Sequence, residues 1–352
     1  MFDKLSFIGK WKGRIVEMEQ TLVISRSSVS VKLEGRHLIV HDHADKSAAV
    51  EKVPLAEVGR VMVCGRPSIS FSVLACLMDM KIPVGFVTTD GRWRGLMDGD
   101  IGFHADRRRK QYESMADAAF QLTFAKRCVH AKIRNCRRTI QRLAANRKFS
   151  PETLCGWNQM TMAMDLLPSA CTVAAVRGIE GIAAVGYFDA LSCLFPKETP
   201  WAGRSRRPPR DIPNALLSFL YTLLSHEVES QVRAHGLDCA AGCLHCGNNH
   251  APALALDLME PFRSVVVDRL VLDLLNHRRL SLSDDFECSQ NGGVYLSEKG
   301  RPKVFRAFDE VMRRRSFVGG RSVTVRQLIN ADVCSYIAFL EKGTELKFYQ
   351  AA

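Results

Sequence analysis

The amino-acid sequence predicts an α+β protein with more than one domain, in which a small β-rich domain precedes a larger all-α domain. Three observations carry this prediction. The 352 residues exceed the length of one typical core. The composition, 47% hydrophobic and 24% charged, is that of a globular protein. The spacing of apolar residues changes near residue 97, from the alternation of strands to the period of helices.

The β-rich domain is predicted at residues 20–97, as a sandwich or roll. Val29, Val31 and Leu33 alternate with polar residues, and the pair Glu34-Gly35 is expected to turn the chain before the next strand. The remaining elements predicted here are strands at 58–64 and 84–88, a short helix at 72–80 and a hairpin turn at 90–91.

A hinge is predicted at residues 98–106, which are rich in glycine and aspartate, and residues 107–352 then show helical spacing. The arginine- and proline-rich residues 200–213 are expected to form a loop. Residues 1–19 fit neither part and are interpreted as an N-terminal extension. Helices are predicted at 107–147, 173–194, 213–234, 253–277, 302–315 and 325–342.

The charge of the chain favours a polyanionic partner. The formal net charge is +12 and the pI is about 9.2, and no basic amphipathic anchor is evident, so nucleic acid is favoured over a membrane. The sequence contains no run of 18 or more apolar residues and no signal-peptide core near its start. A cytoplasmic protein with mostly reduced cysteines is therefore expected.

Glu180 is the first candidate functional residue. At helical spacing it shares a face with Ala183, Ala184 and Tyr187, which are small or largely apolar. A carboxylate on such a face is removed from water and needs a cation, a hydrogen-bond donor or a proton. The alternative interpretation is a glutamate that snorkels at the edge of the helix or pairs with an arginine.

A second group of candidates lies between residues 245 and 263. His245 sits in a loop-like stretch, and Asp257 and Glu260 share a face if their segment is helical, with Arg263 one turn further on. Pro261 either kinks this helix or makes Glu260 the residue before a helix start, where a carboxylate is favoured for structural reasons. Histidine, carboxylates and a cation together are also able to hold a divalent metal against a phosphate.

Cysteines offer a rival site. Cys239, Cys243, Cys246 and His250 are plausible zinc ligands, but the spacing is poor and no second C-x-x-C pair completes the pattern. Cysteine is also a small buried hydrophobic residue, which is the structural alternative.

Basic residues recur along the helical part. Any one cluster is usually a solvated face, but several on a chain with a candidate metal site suit contacts to DNA phosphates. The residues predicted to bind DNA are Arg107, Arg108, Arg109, Arg134, Arg137, Arg138, Arg206 and Arg207.

Several motifs together resemble the CRISPR-associated integrase family, the catalytic subunit of the spacer-acquisition complex. They are RGIEG at 177–181 followed by Tyr187-Phe188, NALL at 214–217 followed by Tyr221, GLD at 236–238, residues 242–245, and LDLMEPFR at 256–263. The resemblance runs from about Thr21 to Leu340. It departs at Cys243 and Cys246, where the family more often has an aromatic and a variable residue.

The resemblance implies roles for individual residues. Glu180, His245 and Glu260 fall on the divalent-metal ligands, and the oxygen and imidazole donors suit Mg²⁺ or Mn²⁺. Asp257 falls on a second acidic position near the site, and Arg263 on a basic one that contacts DNA or the scissile phosphate. Asn214, at the start of its helix motif, is interpreted as an accessory residue.

The resemblance also implies a reaction and partners. Short DNA fragments are inserted into a repeat array by attack of a 3′-hydroxyl on a phosphodiester. The expected partners are double-stranded DNA, a second copy bound through the β-rich domain, and the small ferredoxin-like protein of the same system. Two alternatives stay open: a non-catalytic DNA-binding scaffold with structural zinc, and a nuclease of branched repair intermediates.

Overall fold

The computed structural model describes residues 20–44, 50–89, 91–99, 104–144, 149–201, 203–245, 251–318 and 320–351. The predicted extension at 1–19 lies outside these residues, as do residues 100–103 of the predicted hinge. Within the described residues the predicted architecture is confirmed, because a β-rich region comes first and a helical region follows.

The described part of the β-rich region consists of eight strands, one α-helix and a 3₁₀ turn at Leu55–Glu57. The helix, α1, covers Phe71–Asp79, and the antiparallel pairing of the last two strands confirms the hairpin predicted around Gly91, although Asp90 lies outside the described residues. The strands are β1 Gln20–Ile24, β2 Val29–Glu34, β3 His37–Asp42, β4 Glu51–Pro54, β5 Val58–Cys64, β6 Ser68–Ile69, β7 Val84–Val87 and β8 Trp93–Met97.

Two four-stranded sheets are built from these strands, in the orders β1-β5-β7-β8 and β4-β3-β2-β6. Strands β1, β5 and β7 are parallel, so the chain needs a crossover between β5 and β7, which contains β6 and α1. The predicted turn at Glu34-Gly35 is present, with Gly35 at φ +57°. Apolar side chains of both sheets and α1 pack into one core, including Val31, Leu38 and Leu77.

Strand β5 connects this core to the helical region. Val61 and Val63 face the core of the β-rich region, whereas Met62 and Cys64 belong to the core of the helical region. Successive residues of a strand point to opposite faces, so both faces of β5 are buried. The sequence of a strand that is buried on both faces is mostly apolar and lacks the alternation of apolar and polar residues seen in a strand with one exposed face.

The helical region contains nine α-helices among the described residues. Between α7 and α8 the chain forms a 3₁₀ turn, Glu260–Phe262, and then a π-helical segment, Arg263–Asp268. The helices are α2 Ala105–Met115, α3 Ala118–Leu143, α4 Pro151–Leu166, α5 Val173–Ser192, α6 Ile212–Ala234, α7 Ala253–Met259, α8 Arg269–Asn276, α9 Gly300–Arg313 and α10 Val325–Lys342.

Three details differ from the predicted helices. The helix predicted at 107–147 is divided into α2 and α3, because the side chain of Asp117 accepts a hydrogen bond from the Ala119 backbone N–H and caps α3. Helix α4 is absent from the predicted helices; it begins at Pro151, with the Ser150 side chain accepting a hydrogen bond from the Thr153 backbone N–H. Two short hairpins are also absent from the sequence prediction: β9 Phe286–Cys288 with β10 Val294–Leu296, and β11 Arg315–Val318 with β12 Arg321–Thr324.

Helices α4 and α5 cross at two glycines. A Cβ atom built on Gly156 would lie 2.1 Å from the carbonyl oxygen of Gly186, and one on Gly186 would lie 2.7 Å from the carbonyl oxygen of Gly156. Only glycine allows the two backbones to approach this closely. The crossing fixes the position of α5, which carries Glu180.

Residues 343–351 follow α10 and run back across the helical region. Asn135 of α3 is fully buried, and its side-chain amide donates to the carbonyl oxygens of Pro261 at 2.7 Å and Tyr349 at 3.0 Å, while its oxygen accepts from Ala351. The ring of Tyr349 stacks on Phe262 with 5.5 Å between centroids. This segment therefore supports the 3₁₀ turn that begins with Glu260.

A buried ion network ties the β-rich region to the helices. Glu227 of α6 pairs with Arg60 of β5 and with Arg326 of α10, whose guanidinium also lies 3.0 Å from Asp309 of α9. Thr21 of β1 donates to Asp309 at 2.8 Å. Burial alone would raise the pKa of Glu227, but the two guanidinium groups lower it below its usual value.

The substitution Glu227→Ala is predicted to destabilise the protein by about 3–5 kcal/mol, because it removes the carboxylate that Arg60 contacts and leaves Arg326 with Asp309 alone. Urea unfolding of the variant and the wild type measures this loss. Glu341→Ala is the matched control: its pair with Arg107 is partly exposed and is expected to contribute less than about 1 kcal/mol. Equal losses in the two variants would contradict the structural role of the network.

Asp332 predicts a pH dependence of stability. Both of its oxygens accept the Tyr349 backbone N–H, at 2.9 and 3.0 Å, and burial raises its pKa from 3.8 to about 8. Between these two pKa values the folded state binds more protons than the unfolded state, so the contribution of Asp332 to the free energy of unfolding falls as pH rises. The substitution Asp332→Asn removes this pH dependence, because an amide does not titrate in this range.

Unfolding of wild type and Asp332→Asn in urea at pH 5 to 8 tests this prediction. The wild type is expected to lose up to about 1.4 kcal/mol per pH unit relative to the variant. Parallel pH profiles of the two proteins would show that Asp332 is ionised in the folded state throughout this range.

Candidate active site

The three predicted metal ligands come from three elements that meet beside α3. Glu180 lies on α5, Glu260 begins the 3₁₀ turn after α7, and His245 lies in the loop that follows α6. Lys132 of α3 contacts Glu180 and Glu260, and His245 Nε2 lies 3.7 Å from Glu260. The three residues, distant in sequence, are therefore neighbours in the fold, and their role as metal ligands stays a prediction.

Glu180 lies where its helical face predicts. Ala183 and Tyr187 of the same face are buried, and the Glu180 side chain is 26% exposed. The cation that such a carboxylate needs is the ammonium group of Lys132, which donates a hydrogen bond to Glu180 Oε1. Pairing with an arginine at the helix edge, one of the alternative interpretations, is not what the structure shows.

Glu260 is the more deeply buried of the two carboxylates that contact Lys132, with its side chain 3% exposed against 26% for Glu180. Its Oε2 lies 2.6 Å from Lys132 Nζ, and its Oε1 lies 3.0 Å from Arg263 Nε and 3.7 Å from His245 Nε2. Burial alone would raise the pKa of Glu260, but Arg263, Lys132 and His245 lower it from 4.5 to about 2. The carboxylate is ionised at neutral pH.

Asp257 positions His245. Its two oxygens accept the backbone N–H groups of Cys243, Leu244 and His245 at 2.6 to 2.9 Å. The Asp257 Oδ1 atom also lies 2.7 Å from His245 Nδ1. A proton on Nδ1 in this contact leaves the lone pair on Nε2, which faces Glu260. Asp257 therefore acts through His245 and the loop.

Lys132 is the residue of the site that the sequence does not single out. Its ammonium group lies between Glu180 and Glu260, with the side chain 16% exposed. Burial alone would lower its pKa, but the two carboxylates raise it above its usual value, so the group stays charged. No three His, Cys, Asp or Glu side chains of the described residues surround a common ion position.

The donor atoms nevertheless fit a hard divalent cation. Glu180 and Glu260 already reach one common cation, and the buried Glu260 Oε2 accepts no hydrogen bond of proper geometry within the described chain. Two carboxylate oxygens and one imidazole nitrogen are the donor set that Mg²⁺ or Mn²⁺ accepts.

A second layer of the site contains Asp268, at the end of the π-helical segment. Its two oxygens accept hydrogen bonds from the hydroxyl groups of Tyr187 at 2.6 Å and Tyr221 at 2.5 Å. Burial raises the pKa of Asp268 to about 6. Arg263 lies over the Tyr221 ring at 4.7 Å from its centroid. Arg263 is thus held by Glu260 and the Tyr221 ring.

Asn214 lies outside the cluster of ligands. It is fully buried, its side chain donates to Gly203 and Asp211, and its oxygen accepts from Arg204 at 2.7 Å. The Arg204 guanidinium in turn lies 5.6 Å from the Tyr221 centroid. Asn214 therefore holds Arg204 and its loop beside Tyr221, and its accessory role at the site stays a prediction.

The arginines predicted to bind DNA fall into two groups. Four of them have partners within the chain. Arg107 and Arg108 donate hydrogen bonds to the backbone of residues 235–236. Arg138 donates to Gln141, and the Arg137 guanidinium lies 4.6 Å from the centroid of the Trp157 ring. The side chains that are exposed are those of Arg109, Arg134, Arg206 and Arg207. Arg109 also pairs with Asp106 at 3.1 Å.

The rival zinc pattern falls partly outside the described residues, which exclude Cys246 and His250. Cys239 and Cys243 are buried, with Cys239 Sγ 3.8 Å from the Glu229 carbonyl oxygen and Cys243 Sγ 3.5 Å from Met115 Sδ.

No helix in the described chain has the length and apolarity needed to cross a membrane.

The comparisons with known proteins define the class as the CRISPR-associated integrases and endonucleases. The family model for CRISPR associated protein Cas1 matches residues 22–310, so the chain belongs to the Cas1 family. It is 35% identical over 282 residues to the CRISPR-associated endonuclease Cas1 3 of Thermus thermophilus, covering 80% of this chain and 81% of that protein.

Solved structures share the fold. A casposase bound to integration product superposes with a TM-score of 0.83 at 20% identity, covering 94% of this chain and 92% of the casposase. A chain of a Cas6-RT-Cas1–Cas2 complex superposes with a TM-score of 0.79 at 22% identity, covering 97% of this chain and 37% of the longer one.

The substitution Asp257→Asn is predicted to lower the pKa of His245. In the wild type burial alone would lower this pKa, but the contacts with Asp257 and Glu260 raise it above 6.5. An amide supplies only one acceptor oxygen and turns its NH₂ group towards backbone donors, so the loop should also lose about 1–3 kcal/mol of stability. NMR titration of the His245 ring nitrogens measures both the pKa and the tautomer.

Asp273→Asn is the matched control, since Asp273 contacts His277 in an exposed pair on α8 and the turn after it. It is expected to leave the His245 titration unchanged. If the His245 titration is unaltered in Asp257→Asn, the inference that Asp257 positions His245 is wrong.

Proposed function

We propose that the protein is a divalent-metal-dependent DNA endonuclease and integrase that inserts short DNA fragments into a CRISPR repeat array. The observation that carries the proposal is the position of Glu260, which shares the ammonium group of Lys132 with Glu180 and lies 3.7 Å from His245 Nε2. Arg263 adds a second cation at the same carboxylate. Family membership supports it, as do the endonuclease name of the Thermus relative and the integration product bound to the casposase.

The proposed reaction exchanges one phosphodiester for another. The 3′-hydroxyl of the incoming fragment loses its proton and forms a new P–O bond, while the bond from phosphorus to the 3′-oxygen of the repeat strand breaks and that oxygen gains a proton. The number of phosphodiesters is conserved, so the step needs no ATP. Hydrolysis follows the same course with water as the nucleophile.

The chain's own residues have distinct tasks in this proposal. Glu180, Glu260 and Nε2 of His245 would hold Mg²⁺ or Mn²⁺, and Asp257 keeps the imidazole in the ligating tautomer. When bound, such an ion would polarise the phosphate and stabilise charge on the attacking or leaving oxygen. Arg263, fixed by Glu260 and the Tyr221 ring, places positive charge beside that phosphate.

The partners are proposals of the same kind. Double-stranded DNA would follow the exposed side chains of Arg109, Arg134, Arg206 and Arg207. A homodimer through the β-rich region, and the small ferredoxin-like protein of the system, would hold two active sites at a fixed spacing on the DNA. The Cas1–Cas2 complex among the similar structures supports the second partner. The cytoplasm is the proposed location.

Glu180→Gln and His245→Ala are each predicted to lower strand transfer at least about 100-fold, because each removes a ligand, while DNA retention in a gel persists. The assay joins a fragment with 3′-hydroxyl ends to a supercoiled plasmid that contains the repeat, with Mg²⁺ or Mn²⁺. Glu152→Gln, at an exposed position of α4, is the matched control and should act like the wild type.

Strand transfer by Glu180→Gln or His245→Ala at the rate of Glu152→Gln would refute the proposed active site. Purified wild type with stoichiometric zinc and no activity would instead support the scaffold interpretation. Cleavage of branched DNA without transfer into the repeat would support the repair nuclease.

A further inference from the structure

The position of Lys132 has a consequence beyond charge balance. Its ammonium group contacts Oε1 of Glu180 and lies 2.6 Å from Oε2 of Glu260, so it touches one oxygen of each proposed carboxylate ligand. These are the donor atoms that a divalent ion needs. Lys132 is held at this place by α3, whose neighbouring residues Ala131 and Ile133 are fully buried.

A divalent ion and the ammonium group cannot occupy this position together. An ion bound to both oxygens at about 2.1 Å would lie in contact with Lys132 Nζ, where two cations repel strongly in a site shielded from water. Lysine has a flexible four-carbon stem, so its head group is able to move aside while α3 stays in place.

We propose that Lys132 is a tethered cation that competes with the divalent ion for Glu180 and Glu260. The ammonium group holds the two carboxylates together in the metal-free chain and is displaced when the ion binds. This inference rests on the proposed function, because it takes the two carboxylates to be metal ligands.

Competition between Lys132 and the divalent ion predicts a change in metal affinity that a purely structural role of Lys132 does not. If metal binding must break the contacts of Lys132 with Glu180 and Glu260, removing the ammonium group should strengthen metal binding while it weakens the metal-free fold. If Lys132 only keeps the carboxylates in place, its removal should weaken both. The two roles therefore differ in the sign of the change in metal affinity.

The test uses the full-length variant Lys132→Met, which keeps a long apolar stem without the charge, and Mn²⁺ as the probe. Titration calorimetry or the electron paramagnetic resonance signal of free Mn²⁺ gives the Kd, and thermal unfolding with and without Mn²⁺ gives the Tm. The variant is expected to bind Mn²⁺ at least about 10-fold more tightly than the wild type. Its metal-free Tm should fall, and Mn²⁺ should raise its Tm by more than it raises that of the wild type.

Lys126→Met is the matched control, because Lys126 also lies on α3 but donates to the carbonyl oxygen of Pro168. It should leave the Kd for Mn²⁺ unchanged. Lys132→Gln, which retains hydrogen-bond donors for the carboxylates, provides the same comparison if the methionine variant does not fold, and it too should bind Mn²⁺ more tightly.

An unchanged or weaker affinity for Mn²⁺ in the folded Lys132 variant overturns the competition, whatever happens to the Tm. This outcome is distinct from failure of the proposed function. If neither wild type nor variant binds Mn²⁺ and the wild type transfers no strand, the metal site itself is wrong. If the wild type binds Mn²⁺ and transfers strands, and the Lys132 variant binds no more tightly, only the role of Lys132 is wrong.

Discussion

The buried negative charge of Glu260 is the constraint on which the site depends. A carboxylate with its side chain 3% exposed would be protonated unless nearby cations stabilised its charge. Lys132 lies at one of its oxygens, and Arg263 and His245 lie at the other. Because these groups come from α3, the π-helical segment and the loop after α6, the charge on Glu260 requires three separate parts of the chain to meet.

The fold supplies the rigid support for this meeting. Asn135, one turn after Lys132 on α3, fixes the Pro261 carbonyl and the segment that follows α10, so the 3₁₀ turn with Glu260 is held from behind. The glycine crossing of α4 and α5 sets the position of Glu180. The network around Glu227 then joins this helical body to the β-rich region, where β5 is shared by both cores.

Much of this arrangement is predicted from the sequence, because it follows from the pattern of apolar and polar residues within single segments of the chain. The change of period near residue 97 predicts the order of the two regions, and the face of Glu180 predicts its burial. Lys132 is different: among many basic residues of α3, only the three-dimensional contact shows that its ammonium group reaches two carboxylates. Asn135 and Arg204 are likewise defined by partners outside their own helix or loop. The division at Asp117 and the start of α4 at Ser150 depend on capping hydrogen bonds, which the apolar period along the chain does not register.

The most direct measurement of the central claim is a crystal structure of the protein with Mn²⁺, with the metal located by anomalous scattering. The account predicts one strong peak within about 2.5 Å of an oxygen of Glu180, an oxygen of Glu260 and Nε2 of His245, with the Lys132 ammonium displaced from between the carboxylates. Metal bound elsewhere, for instance at Cys239 and Cys243, with Lys132 still bridging Glu180 and Glu260, would contradict it.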